Sequence, residues 1–150
     1  MKKLSVTAAF LIFSCALFAQ KREDSVKMAV NRMFAAMKAA DAKTFAGCFA
    51  DSAIFQTVAK DKAGKVFVRN EPIAAFVMQI AAIPKGDADE RITFDVVKVD
   101  ADLAIVWAPY QFFFEGKFSH CGVNSFQLVR INNEWKIQYI IDTRRKDNCM

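Results

Sequence analysis

The spacing of apolar residues changes period along this chain, and each change marks an element. Val26, Val30, Met33, Phe34 and Met37 recur at three- and four-residue intervals, which predicts a helix with one apolar stripe running to about Ala40. Asp24 or Ser25 is placed to cap it. Asp41 opens a second, short helix over AKTFAGCF, with Phe45, Cys48 and Phe49 on one side and Gly47 as a weak point. After Asp51-Ser52, the β-rich runs AIFQTVA and VFVR flank a turn containing Gly64, which reads as a hairpin. Asn70 then reads as an N-cap with Pro72 in the first helical turn. Ile73, Phe76, Val77 and Ile80 form the stripe of this third helix, and Pro84 and Gly86 end it. DADE reads as a solvated loop and ITFDVVKV as a strand. From Asp102 to Arg145 three further antiparallel strands follow, holding both tryptophans, both tyrosines and the single histidine, His120.

Helices grouped before strands imply an α+β domain with helices on one face of a bent sheet. Length agrees: 150 residues suit a single domain, and 54% hydrophobic residues with 15 phenylalanines can fill a sizeable core.

The N-terminus is a separate unit. Met1-Lys2-Lys3 is a short positive segment, Leu4 to Phe18 is apolar, and Ala19 is a small residue placed for cleavage. Residues 1–19 therefore read as a signal peptide and residues 20–150 as the single mature domain, periplasmic or secreted. The apolar run is short for a ~30 Å hydrocarbon core, so no membrane association is expected once the signal is removed. A retained anchor and lipidation at Cys15 are the competing readings; Phe13 and the continuation ALFAQ argue against lipidation. Losing Lys2 and Lys3 lowers the formal charge from +5 to +3. No dense Lys/Arg run accompanies it, so a nucleic-acid partner is not expected.

Export leaves Cys48, Cys121 and Cys149, enough for one disulfide and one free thiol. A curled tail could join Cys121 to Cys149, and Cys48 with Cys149 competes. Without CxxC or a second histidine, a Cys/His zinc site is not expected. No cofactor is implied.

The order of elements resembles the nuclear transport factor 2-like superfamily over residues 24–145. KAADAKTFAGCFADSAIF is similar to its second helix and first strand, and WAPYQFFFEGKFSHCGVNSFQLVRINNEWKIQYIIDT to the last three strands of its small-ligand branch, the polyketide-cyclase-like and lumazine-binding families. The resemblance implies a cystatin-like cone, in which three N-terminal helices pack on a strongly bent, mostly antiparallel sheet around a cavity, and often a homodimer. It implies no single activity, since isomerases, cyclases and dehydratases share the fold with proteins of no known chemistry.

The inner face of the sheet can also be read from register. A tight turn at Asn132-Asn133 pairs Phe126 with Tyr139 and Leu128 with Ile137. One face then carries His120, Asn124, Phe126, Trp135, Tyr139, Thr143 and Arg145, and the other carries Cys121, Asp142 and Arg144. The first face is the more aromatic and is expected to meet the helices. At Glu115-Gly116-Lys117, an apex at Gly116 pairs Phe112 with His120 and Tyr110 with Gly122. A two-residue turn would instead bring in Gln111, Phe113 and Trp107, because a one-residue slip flips every side chain. Pro109 could accompany a bulge. The first register is favoured, leaving Trp107, Ile105 and Phe113 outside for a partner to cover.

The candidate ligand-binding residues are thus Tyr110, Phe112, His120, Asn124, Phe126, Tyr139 and Arg145, with His120 the candidate acid or base. A core histidine packed on Tyr110 is the competing reading, and Asp142 reads first as an ion-pair partner of the neighbouring arginines. Only Asp51, Asp95 or Glu71 could bring an acid into the cavity. The expected function is an exported domain binding a small apolar or aromatic molecule. An acid/base enzyme using His120 with Tyr110 as donor, and a dimeric interaction module, are the alternatives; an acid beside His120 would favour the enzyme.

Overall fold

The structure, a computed structural model, describes the backbone of residues 4–149 and side chains from Gln20 to Cys149. The leader expectation, with Cys15 and the cleavage point at Ala19, lies outside the described side chains.

Three helices, α1 (Leu4–Lys38), α2 (Ala42–Ala46) and α3 (Ile73–Ala82), cover one face of a seven-stranded sheet. Its strands are β1 (Phe49–Lys60), β2 (Val66–Asn70), β3 (Ala88–Ile92), β4 (Val96–Asp100), β5 (Leu103–Phe114), β6 (Lys117–Ile131) and β7 (Glu134–Thr143), in the order β2-β1-β7-β6-β5-β3 with β4 also on β5. All pairs are antiparallel except β1 with β7. This is the expected α+β cone: helices packed on one face of a bent, mostly antiparallel sheet around one core.

The α1 stripe packs as its spacing predicts, with Val26, Val30, Met33, Phe34 and Met37 all buried. Its start differs. The helix runs through Asp24 and Ser25, because nothing in QKRED interrupts it. Ser25 Oγ instead donates to the Arg22 carbonyl at 2.7 Å and accepts the Trp135 indole N–H at 3.0 Å, tying helix to sheet. Asp41 caps α2 as expected, accepting from the Thr44 N–H at 2.9 Å. Asn70 does not cap α3; it ends β2 and accepts from Gln56 Nε2, while Pro72 takes the cap position without a side-chain bond.

DADE is not a solvated loop. Ala88 and Asp89 are buried in β3, where Lys38 Nζ at 2.9 Å and Arg91 Nε at 3.0 Å neutralise the Asp89 carboxylate. The following run is two strands rather than one, and Pro109 accounts for the break. Proline has no N–H to give the adjacent strand, and residues 93–95 opposite it belong to neither β3 nor β4. The Thr93 N–H still reaches the Pro109 carbonyl at 2.9 Å.

Candidate functional site

Between helices and sheet lies a cavity of about 280 Å³. Its wall is mostly apolar: Met33, Phe34 and Met37 from α1, Phe45 from α2, Phe49 and Phe55 from β1, and Phe76, Ile80 and Ile83 from α3 and its end. The sheet contributes Ala88, Phe112, Phe114, Phe126 and Ile140, and six polar residues complete the lining: Gln79, Glu90, His120, Asn124, Asp142 and Arg144.

The β5–β6 hairpin places its residues as the favoured register predicts. Phe112 pairs with His120, Tyr110 with Gly122 and Ala108 with Asn124. The tip itself is a two-residue turn, with Glu115 and Gly116 both at positive φ (51° and 73°), as a primed turn requires. Phe114 pairs with Lys117 and Phe113 with Phe118 there, and an irregularity between Phe112 and Phe113 restores the other parity. Both registers therefore exist, one at the tip and one along the body. Trp107 and Ile105 lie outside as expected, and Phe113 is covered by the Arg91 guanidinium 4.0 Å above its ring.

The last strand needs a correction. Leu128 pairs with Ile137 as predicted, but the next pair is Gln127 with Tyr139, so Gln138 is an extra residue and the parity of β7 inverts beyond it. Phe126 faces Ile140, not Tyr139. Tyr139 and Arg145 therefore leave the inner face, and Asp142 and Arg144 enter it. Tyr139 donates to Gln56 Oε1 at 2.7 Å, and Arg145 bridges back to Cys121 through its backbone.

The polar end of the cavity is thus richer than the sequence indicated. Asp142 is buried and accepts from Arg144 Nε at 2.8 Å through Oδ2. A second nitrogen of Arg144 donates to Thr57 Oγ1 at 3.2 Å. Asp142 Oδ1 is buried without a hydrogen-bond partner, an imbalance of the kind that costs about 1–3 kcal/mol. Glu90 accepts from Asn124 Nδ2 at 2.6 Å. Removal from water is the main force on its carboxyl and, with the nearby Asp142 charge, pushes it up to about 7 against the Asn124 bond. Asp51 and Asp95 are exposed and Glu71 pairs with Arg69 at the surface, so Glu90 and Asp142, not these three, supply the acids.

His120 is half-buried, edge-on to Tyr110 (5.6 Å between ring centres) and tilted on Phe112 (5.1 Å). Burial first, then the Arg144 charge, moves its pKa down, so the neutral ring is favoured. Its Nδ1 lies 3.1 Å from Ser119 Oγ. Tyr110 is buried beneath the wall; its hydroxyl donates to the Thr143 carbonyl at 3.0 Å. Gly122 permits this close crossing, since a Cβ there would sit 1.8 Å from the Thr143 oxygen. Among the described residues no group of three or more His, Cys, Asp or Glu is arranged to hold a metal ion. Cys121 and Cys149 form a disulfide, and Cys48 is free and buried.

No protein-family model and no curated protein sequence matches the chain. Solved structures do match in shape. A nuclear transport factor 2-like protein of unknown function from Shewanella baltica superposes with a TM-score of 0.67 at 12% identity, over 85% of this chain and 96% of that one. A cystatin-like domain of unknown function from Nostoc punctiforme gives 0.63 at 20% identity, over 84% and 78%. A protein of the nuclear transport factor 2-like family from Streptomyces avermitilis, proposed to be a dehydratase, gives 0.61 at 16% identity, over 84% and 97%. The chain has the nuclear transport factor 2-like, cystatin-like fold.

Proposed function

We propose that the cavity binds a small, largely apolar molecule and performs acid/base chemistry on it, with Glu90 as the proton-transferring group and His120 as a neutral ring elsewhere on the same wall. One observation carries the reading: a carboxyl group, hydrogen-bonded to Asn124, is set into the wall of a mostly apolar cavity, where burial pushes its pKa up to about 7. A group poised near working pH can both give and take a proton. Asn124 fixes its orientation through the 2.6 Å bond, and the Asp142–Arg144 pair sets the local field.

The test is hydrogen–deuterium exchange beside the carbonyl of 2-tetralone, followed by NMR in D2O. The wild-type protein is expected to accelerate exchange, and Glu90→Gln to lose at least about a hundredfold of that acceleration. His120→Ala is expected to weaken binding of the ketone while moving the melting temperature by only a few degrees. Binding without accelerated exchange would overturn the enzymatic reading in favour of a binding domain, which the apolar wall alone supports.

Two further parts of the reading concern the protein's setting. The Cys121–Cys149 disulfide supports a site of action outside the reducing cytoplasm. The exposed row Leu103, Ile105 and Trp107 on β5 supports pairing of two copies through the outer face of the sheet.

A further inference from the structure

The chain as a whole is basic, which would steer a guess toward anionic ligands. The cavity says otherwise. Among the described residues that line it, Arg144 is the one guanidinium or ammonium, and two carboxyl groups, Glu90 and Asp142, accompany it. Arg144 is also engaged: Nε is on Asp142 Oδ2 at 2.8 Å and a terminal nitrogen is on Thr57 Oγ1 at 3.2 Å. A ligand carboxylate would find the cation's charge already cancelled. It would also approach Asp142, whose Oδ1 is itself short of a donor. Like charges at close quarters in a poorly solvated site repel strongly.

From this geometry we infer that the ligand presents a neutral polar group, a carbonyl or hydroxyl on a ring system, and that the cavity rejects carboxylates, sulfonates and phosphates. The inference deepens the proposed function and rests on its claim that the cavity binds a small apolar molecule. Neutrality holds from the other side as well. Asp142 already faces the Arg144 guanidinium, and burial raises the Glu90 carboxyl, so the site offers a ligand ammonium group less negative charge than two free carboxylates would. The neutral partners on the wall, Asn124 and His120, supply hydrogen bonds without charge. Arg145, a candidate ligand-binding residue from the sequence, lies on the opposite face and donates to the Asn148 carbonyl.

The experiment uses three probes on one skeleton: 2-acetylnaphthalene, 2-naphthoate and 2-naphthylmethylammonium, titrated at pH 7 by calorimetry. The neutral ketone is expected to bind roughly tenfold or more tighter than either ion, the size of a single charge-assisted hydrogen bond. Tightest binding by naphthoate, or by the ammonium compound, overturns the inference while leaving the cavity's binding role intact. Failure of all three to bind overturns the proposed function itself. Asp142→Asn adds a directional check. It frees Arg144, so naphthoate affinity is expected to rise at least about tenfold; no rise in a folded variant shows that the Arg144 charge does not govern selection. The wild-type ranking needs no variant, so a misfolded Asp142→Asn protein leaves the inference open to refutation.

Discussion

A single carboxyl, Glu90, carries most of the chemistry argued for this molecule, and its protonation is linked to folding. Its pKa is raised from 4.5 to about 7 in the fold, mainly by burial, so the folded chain holds a proton that the unfolded chain releases. That contribution to stability is intact below about 4.5 and is lost as pH rises through about 7. His120 has the opposite sign: its lowered pKa gives stability present above 6.5 and lost as pH falls. Asp89, held low chiefly by Lys38, acts in the same direction at lower pH. Comparing variants isolates Glu90. The urea midpoint of the wild type is expected to fall relative to Glu90→Gln between pH 5 and 8; parallel curves would show that this proton is not linked to folding.

At the scale of elements, local pattern decided what could be read. The α1 stripe, the Asp41 cap and the β5–β6 register follow from spacing and turn chemistry, and each is found in place. The polar half of the site was hidden for two physical reasons. Tyr139, Ile140 and Ile141 are consecutive and all apolar or aromatic, so neither parity of β7 announces itself and the extra residue at Gln138 leaves no trace in the alternation. Glu90 sits in DADE, whose composition suggests solvent although Lys38 and Asn124 from distant segments satisfy its buried acids. A proline in mid-strand offered a usable signal: Pro109 marks where the neighbouring edge divides. The tail was legible only as a pair of alternatives, and it is Cys121 that meets Cys149, at a separation of 28 residues. Closing a loop of that size is worth about 3–4 kcal/mol. Reduction, or Cys149→Ser, is expected to lower the unfolding free energy in urea by about that amount. Unchanged stability would show that the two thiols are not joined in solution.

For the whole molecule the question is what lies against the outer face. Leu103, Ile105 and Trp107 are each nearly half exposed on β5, and Val96 of β4 is exposed beside them. With the helices and the cavity on the other side of the sheet, pairing of two copies would bury this row away from the cavity. Light scattering after size exclusion is expected to report a dimer, and Trp107→Glu a monomer whose cavity still binds 2-acetylnaphthalene. A wild-type monomer at micromolar concentration would refute the pairing.

The extra residue in β7 has a broader consequence. A strand can be read in two frames, odd or even, and Gln138 changes the frame partway along. Ahead of it, Trp135 and Ile137 face inward; behind it, Asp142 and Arg144 do, where Thr143 and Arg145 would otherwise stand. A one-codon insertion or deletion at this point would therefore exchange what this strand and the residues just after it give the polar end of the cavity, replacing an ion pair with a threonine and a guanidinium while keeping every other amino acid. Ligand preference in such a scaffold can change by indel as readily as by substitution.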